Sequence, residues 1–326
     1  MIWFSFFLSL FTISLTADIQ PPATYMAPKE QLYSYKKGNG AEKGAFPTNK
    51  IMTLNACMLD GVLPVKYGGM TRADKRVKRL TDLIKKQDPD IYLGQEITLA
   101  SGTLIYDQLK SGYPHFWIGM GINDGNSGLF VASKYPIISE PKFFPFPESM
   151  QRPADRRIMD RGFFCLETPK YWIATSHFEG GSPKDVGAFR RDELKFVTQT
   201  MDKISNGKPY ILAGDLNITR TGEPDDEYSQ SGIQEYYYDF YTEHHPQFNA
   251  DTFTNTNLFT ARANGLPEPK LETDRNEIDD YFLIRKPYQK LFKNLNVVIN
   301  QETYNLDEPT EKAITDHRAY IATFSI

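Results

Sequence analysis

A succession of apolar strands, each closing on polar residues, constrains this chain more than any other feature. Residues 51–55 read as a buried strand that ends on Asn55, and residues 91–96 as a second that ends on Gln95 and Glu96. Between them Ala73, Val77, Leu80 and Ile84 trace one face of a helix. Thr71, Arg72, Ala73 and Asp74 have the form of a capping box at its start, and Asp88-Pro89-Asp90 stops it. Strand, helix, strand in that order brings Asn55 and Glu96 to the same rim of a parallel pair, where ligands gather in α/β folds. Further strands are expected at residues 128–132, 162–167, 171–176, 210–214, 281–284 and 319–324, and Leu194, Val197, Met201 and Ile204 mark a second amphipathic helix. The fold class is therefore α/β, with two mixed β-sheets packed face to face and helices outside, a four-layer α/β/β/α sandwich.

Each polar strand end is ordinary when it stands alone. Asn55 can simply terminate a strand, Glu96 can be a solvated carboxylate, and Asp215 and Asn217 can make a turn after Gly214. Coincidence explains the whole series poorly: Asn55, then Glu96, His177, Asp215 with Asn217, Asp279-Asp280, and Asp316-His317. These groups suit a hard divalent cation and a phosphate. A phosphodiester is anionic and slow to hydrolyse, so its catalyst needs a Lewis acid, a base for water and donors for the phosphoryl oxygens. Glu96 is a hard oxygen ligand for Mg²⁺, with Mn²⁺ or Co²⁺ as substitutes, and Asn55 adds a neutral oxygen directly or through water. The chain has no His/Cys cluster to favour zinc. His317 is the best general base, because imidazole titrates near neutrality and a carboxylate on its second nitrogen would hold the tautomer. For His115, expected in a loop after Pro114, and for His244 and His245 in the long polar stretch, solvated or structural roles are expected.

The order and wording of these segments resemble the endonuclease/exonuclease/phosphatase superfamily over residues 51–326. The specific pieces are Gly214-Asp215-Leu216-Asn217, the Asp316-His317 pair before a final strand, and Gln95-Glu96. Within that superfamily the surroundings look most like neutral and bacterial sphingomyelinases. Asn55-Ala56-Cys57-Met58-Leu59, Arg72-Ala73-Asp74, and Ser127-Gly128 running on to Ser133-Lys134-Tyr135-Pro136-Ile137 carry that likeness, with Arg161-Gly162-Phe163 and Arg190 before Glu193-Leu194 as smaller agreements. The resemblance implies a DNase I-like fold and hydrolysis of sphingomyelin to ceramide and phosphocholine. It implies Glu96, Asn55 and Asp316 at the metal, with His317 as base. It further implies that Asp280 orients His317 and that Asp215 positions water or protonates the leaving oxygen. Asn217 and His177 would bind the phosphoryl oxygens. Asp279 precedes the orienting carboxylate where the family has an apolar residue, so Asp279 and Asp280 compete for that role.

Residues 1–17 are almost wholly apolar and then small, as in a cleaved secretory signal, with an uncleaved anchor as the alternative. Residues 18–49 read as a linker or N-terminal extension, and residues 50–326 as the catalytic domain. Export, a monomer and a phospholipid partner are expected. A net charge of −4 argues against a polyphosphate backbone as the main partner, since that affinity comes from Lys and Arg. An exported nuclease and a phosphoinositide phosphatase using the basic segment 152–161 are the alternatives, with a binding module that has lost turnover behind them. The aromatic-tipped hairpin of secreted bacterial sphingomyelinases has no counterpart in the polar residues 300–314. Phe143, Phe144 and Phe146, as a surface loop beside the site, and Tyr236, Tyr237 and Tyr238 are the candidate docking aromatics, with core or helix-face packing the commoner role for each block. Cys57 and Cys165 lie in apolar stretches and read as buried, inert thiols.

Overall fold

The computed structural model describes residues 49–58, 73–120, 126–139, 141–152, 159–223, 225–245, 253–254, 276–303 and 314–326. Residues 1–48, which hold the expected signal and all but the last residue of the expected spacer, together with Leu59, Thr71, Arg72 and residues 304–313, lie outside the described residues. The first half of the chain runs β1 (Asn49–Met58), α1 (Ala73–Gln87), β2 (Ile91–Ile97), α2 (Leu99–Leu109), β3 (His115–Met120), β4 (Asn126–Ser133), β5 (Lys142–Pro145), β6 (Gly162–Glu167), β7 (Trp172–His177) and α3 (Pro183–Ile204). It continues through β8 (Tyr210–Arg220), α4 (Glu227–Gln230), α5 (Ile233–Tyr236), β9 (Tyr237–Asp239), α6 (Phe240–His244), β10 (Phe253–Thr254), β11 (Asn276–Arg285), β12 (Lys293–Ile299) and β13 (Tyr320–Ser325).

These strands form two mixed sheets. One has the order β12-β13-β1-β2-β4-β3, the other β10-β11-β8-β7-β6-β5 with β9 against β11. Each sheet has a single parallel pair, β1 with β2 and β7 with β8. Period-two alternation divides β1 between two cores. Ile51 joins Leu93, Val131, Ile173 and Ile211 between the sheets, whereas Met52 and Leu54 face outward and pack with Val77, Leu80 and Ile84 of α1. Burial of each of those three helical side chains contributes about 2 kcal/mol. On the other outer face α3 lays Leu194, Val197 and Met201 against the second sheet. The observed arrangement is the expected four-layer sandwich.

The topology places the site. Parallel pairing brings Asn55 level with Gln95 and His177 level with Asp215, all at carboxyl ends. Strand β13 runs antiparallel to β1, with Tyr320 opposite Thr53, so its approach, carrying Asp316 and His317, begins at that same rim. Strand β11 runs antiparallel to β8 and sets Asp280 directly opposite Asp215.

Three expectations need correction. Residues 142–145 form an edge strand on β6 rather than a surface loop; Phe146 is buried and Phe144 stacks on Phe163. Alternating aromatic and proline residues gave no helical or strand period, and pairing with Gly162 and Phe163 decides the conformation. Arg152 and Arg161, the described ends of the basic segment 152–161, are engaged by the backbone carbonyls of residues 177, 178 and 180 rather than left for a phosphate, and residues 153–158 lie outside the described residues. His115 opens β3 instead of sitting in a loop. Tyr237 is core, and Cys57 and Cys165 are buried, with burial pushing the Cys165 thiol up to about 12. Among the described residues no helix is long and apolar enough to cross a membrane.

Gly214 ends the apolar part of β8 at φ 146, and a Cβ there would lie 2.2 Å from the Ser176 carbonyl oxygen. Gly207, at φ 82 after α3, has open space around it. Gly214→Ala is expected to cost about 3 kcal/mol or more, through backbone displacement at the β7–β8 contact, and Gly207→Ala only about 1 kcal/mol of left-handed strain. Urea unfolding of both variants measures the difference, and equal losses would contradict this account.

Candidate active site

Six side chains from both sheets converge at the rim. Asn55 donates from Nδ2 to Glu96 Oε1 at 3.0 Å and to Asp215 Oδ2 at 2.9 Å, while its Oδ1 accepts the Cys57 N–H at 2.9 Å. His177 Nε2 lies 3.4 Å from Asp215 Oδ2 and 3.7 Å from Glu96 Oε1. His317 Nε2 approaches the same Asp215 oxygen at 3.9 Å, and its Nδ1 lies 2.8 Å from Asp280 Oδ2. That bond is made by Asp280, so of the two neighbouring aspartates it is the one on the imidazole. Asn217 donates its backbone N–H to Asp215 Oδ1 at 2.9 Å and its Nδ2 to the Phe178 carbonyl at 3.2 Å. Asp316 accepts from the Thr315 hydroxyl, which also reaches the Asn55 carbonyl at 2.8 Å.

Local backbone geometry aims these groups. Strict alternation along β2 would send Glu96 to the outer face of Tyr92, because Gln95 already points between the sheets to Thr53 and Thr175. A φ of 54° at Glu96 breaks the alternation and turns its carboxylate into the rim. Asn217 within β8 and Cys57 near the end of β1 are left-handed too, at φ 50° and 47°, the latter within a register shift between Asn55 and Met58 and with its N–H on Asn55 Oδ1. Left-handed non-glycine residues cost about 1–2 kcal/mol each and concentrate where a site needs a particular side-chain direction.

The electrostatics call for a cation. Burial raises the Glu96 pKa and the adjacent Asp316 raises it further, against the Asn55 hydrogen bond. Burial lifts Asp215 to about 6, with His317 and Asn55 opposing and Asp280 adding to the rise. Asp279, buried beside them, is raised strongly by burial and by Asp215. For His317 burial favours the neutral ring, yet Asp280, Asp215 and Asp316 together outweigh it and hold the pKa well above the usual histidine range. His177 moves the other way: burial, then Arg161 and His317, keep it neutral. Glu96, His177 and Asp215 offer ligand atoms all within 4.8 Å of one another. With carboxylates this crowded and no thiolate among them, the donor set fits a hard divalent ion, and the Glu96 side chain, 19% exposed, is the way in. Asn55 as placed serves this centre by bridging the two carboxylates, its oxygen being engaged by Cys57.

Arginines beneath the rim escaped the sequence reading, since backbone carbonyl acceptors leave no motif. Buried Arg76 of α1 donates to the carbonyls of Ala56, Cys57 and Ile314, on either side of Asn55 and Thr315. Arg161 donates to His177 and Phe178, and Arg190 forms a bidentate pair with Glu227 at 2.7 and 2.6 Å. Glu193 accepts the Glu179 N–H at 3.0 Å. The agreement at Arg161 and at Arg190 with Glu193 was the one available signal. His244 and His245 stack on Phe240 and Tyr241, away from this set.

The model of the Endonuclease/Exonuclease/phosphatase family matches residues 52–285. Among solved structures, Sphingomyelinase C from Streptomyces griseocarneus is similar with a TM-score of 0.62 at 17% identity, covering 86% of this chain and 100% of that one. Beta toxin 275-280 from Staphylococcus aureus gives the same TM-score and identity over 85% of this chain and 100% of the toxin. TDP2 from D. rerio, solved with a single-strand DNA product, gives 0.59 at 18% identity over 86% and 99%. At these identities the likeness establishes the fold, which is DNase I-like. No curated protein sequence matches the chain.

Glu193, fully buried, has its carboxyl pushed up to about 8 by burial, against the Glu179 hydrogen bond. A folded pKa above the unfolded value of 4.5 gives stability that is complete below that value and is lost as pH rises through about 8. Glu193→Gln should therefore be more stable than the parent at pH 8, by on the order of 2 kcal/mol, and converge with it near pH 4.5. Denaturant unfolding across that range measures the gap; a gap that does not change with pH would refute the assignment.

Proposed function

The chain belongs to the Endonuclease/Exonuclease/phosphatase family, hydrolases of phosphodiester bonds that use divalent metals, and we propose that it is an exported, Mg²⁺-dependent sphingomyelinase acting as a monomer at a phospholipid surface. The observation that carries the reaction is the Asp280–His317 pair, 2.8 Å apart, facing the Glu96, His177 and Asp215 cluster from the other side of Asp215. Support for sphingomyelin comes from the motifs around that set and from the likeness to Sphingomyelinase C.

In this reading Glu96 and Asp316 hold Mg²⁺, with Asn55 fixing Glu96 and Asp215 beside it. The bound ion supplies Lewis-acid stabilisation of charge on the phosphoryl group. With the Asp215 and Asp316 charge that raises its pKa offset by a bound ion, the His317 ring is neutral and takes the proton from the attacking water at Nε2, while Asp280 fixes the tautomer and steadies the imidazolium that results. Asp215, with a pKa of about 6, can carry the proton that the ceramide oxygen needs as it leaves. His177, kept neutral, and Asn217 donate to the equatorial oxygens, where charge develops. The products are ceramide and phosphocholine.

A nuclease reading is the second, favoured by the comparable likeness to TDP2 with its DNA product. The net charge of −4 weighs against it. For the phosphoinositide reading, the two arginines at the ends of its basic segment, Arg152 and Arg161, are already engaged by the carbonyls of residues 177, 178 and 180.

Purified protein offered sphingomyelin vesicles, phosphatidylcholine vesicles, plasmid and single-stranded DNA and phosphoinositides should release phosphocholine from sphingomyelin with Mg²⁺ and not with EDTA. DNA cleavage without phosphocholine release would overturn the substrate assignment. Asp280→Asn leaves the fold intact and is expected to lower kcat by about 10²–10⁴ with little change in KM. Retention of full kcat in that variant would remove Asp280 from the mechanism.

A further inference from the structure

Five consecutive backbone carbonyls after β7 each accept a hydrogen bond from an arginine. Arg161 Nη1 donates to His177 at 3.2 Å and Phe178 at 2.8 Å, Arg190 Nη1 to Glu179 at 3.0 Å and Gly181 at 2.9 Å, and Arg152 Nη2 to Gly180 at 2.5 Å. The guanidinium groups are fixed in turn. Arg152 Nε pairs with the Glu179 side chain at 2.9 Å, and Glu227 grips Arg190 while accepting the Thr219 N–H at 3.1 Å. Thr219 stands two residues beyond Asn217 on β8, so one carboxylate ties the loop after β7 to the strand that carries Asp215 and Asn217.

Satisfying buried carbonyls alone would not require this convergence, for a loop at a sheet rim can use water. Three functional side chains meet at the Arg161 end. The His177 carbonyl is one acceptor, the Phe178 carbonyl also takes the Asn217 Nδ2, and the Phe178 N–H donates to the Asp215 carbonyl at 3.0 Å. A planar guanidinium is a stiff donor, and its hold on the peptide of His177 sets the direction in which the imidazole leaves the backbone. Among the described residues the ring has no other anchor behind it, since His177 Nδ1 is buried and finds no hydrogen-bond partner among them.

We propose that Arg161, backed by the Arg190–Glu227 pair, is the positioning residue for His177 and Asn217, acting through backbone carbonyls and without touching the reacting phosphate. This rests on the reading of those two side chains as donors to the phosphoryl oxygens. Displacing them by a fraction of an ångström removes stabilisation that is made only in the transition state, so the loss appears in kcat.

The test uses the full chain with ¹⁵N-labelled histidine and two readouts. In Arg161→Met the His177 ring-nitrogen signals should shift or broaden while the His317 signals hold. With bis(p-nitrophenyl) phosphate and Mg²⁺, kcat should fall about 10- to 100-fold with KM within about threefold, and Arg161→Lys should recover most of it. Glu227→Gln loosens the clamp from behind with Arg161 intact, and should disturb the same ring signals if Arg161→Met fails to fold. Undisturbed His177 signals in whichever of the two variants folds would overturn the proposal, as would a kcat loss in Arg161→Lys equal to that in Arg161→Met. A parent protein that hydrolyses no phosphodiester would bring down the functional reading, and the ring signals would still decide the positioning role.

Discussion

Asn55 joins the two sheets through a single amide nitrogen, which donates to Glu96 on β2 and to Asp215 on β8. Much of the rim depends on that shared donor. It brings two buried carboxylates near enough to hold one cation, and those carboxylates repel each other unless a donor or a positive charge stands between them. Its own orientation is fixed by the Cys57 N–H on Oδ1, which exists because Cys57 adopts a left-handed conformation at the end of β1. Arg76 then holds the carbonyls of Ala56 and Cys57 in that bend. A strained backbone, a buried arginine and a bridging amide are thus successive supports for one carboxylate pair.

The second sheet repeats this construction with different residues. Asn217 is left-handed within β8, its N–H is on Asp215, and arginines hold the neighbouring carbonyls after β7. Each sheet contains one parallel pair, and parallel pairs present their carboxyl ends together. Antiparallel β11 and β13 bring the remaining members, Asp280 and His317, from the opposite chain direction. The resulting His317–Asp280 contact spans the two sheets, so imidazole orientation depends on their packing as well as on either strand.

Much of the rim was legible because strands end abruptly: an apolar run followed by Glu96, His177 or Asp215 marks both the strand and its exit. The helix α1 was legible from Val77, Leu80 and Ile84. The helix α2 was not, since Leu99–Leu109 mixes Gly102, Ser101 and Thr103 among its buried residues and carries no clean polar face. Small residues are used there because α2 lies close on the sheet, where a Cβ on Gly102 would come within 2.9 Å of Ile118. Strand β5 was hidden by its prolines. The arginine clamps were hidden for a deeper reason, since an arginine that serves a carbonyl serves a group every residue has. Asp280 is favoured over Asp279 in the sequence because Tyr281 and Phe282 follow it directly, and the register shift in β11 between Ile278 and Asp280 is the physical reason that it is the one facing His317.

The same rim geometry explains how one scaffold can serve different phosphodiesters. Catalytic groups sit on strand ends held by sheet pairing and by buried arginines, which leaves little freedom to tune them. The chain leaves or re-enters this rim at residues 58 and 73, at 120 and 126, at 152 and 159, at 254 and 276, and at 303 and 314. Connections between strands can change in length and composition without disturbing a ladder. Sphingomyelinase C and TDP2 share the scaffold while their names and ligand point to a lipid in one case and DNA in the other. The polar makeup of residues 304–313, which lie in one such connection, makes an aromatic insertion there the wrong place to look for membrane contact in this chain. The edge strand β5 offers no substitute, with Phe146 already committed to the core against Phe178 and Phe196.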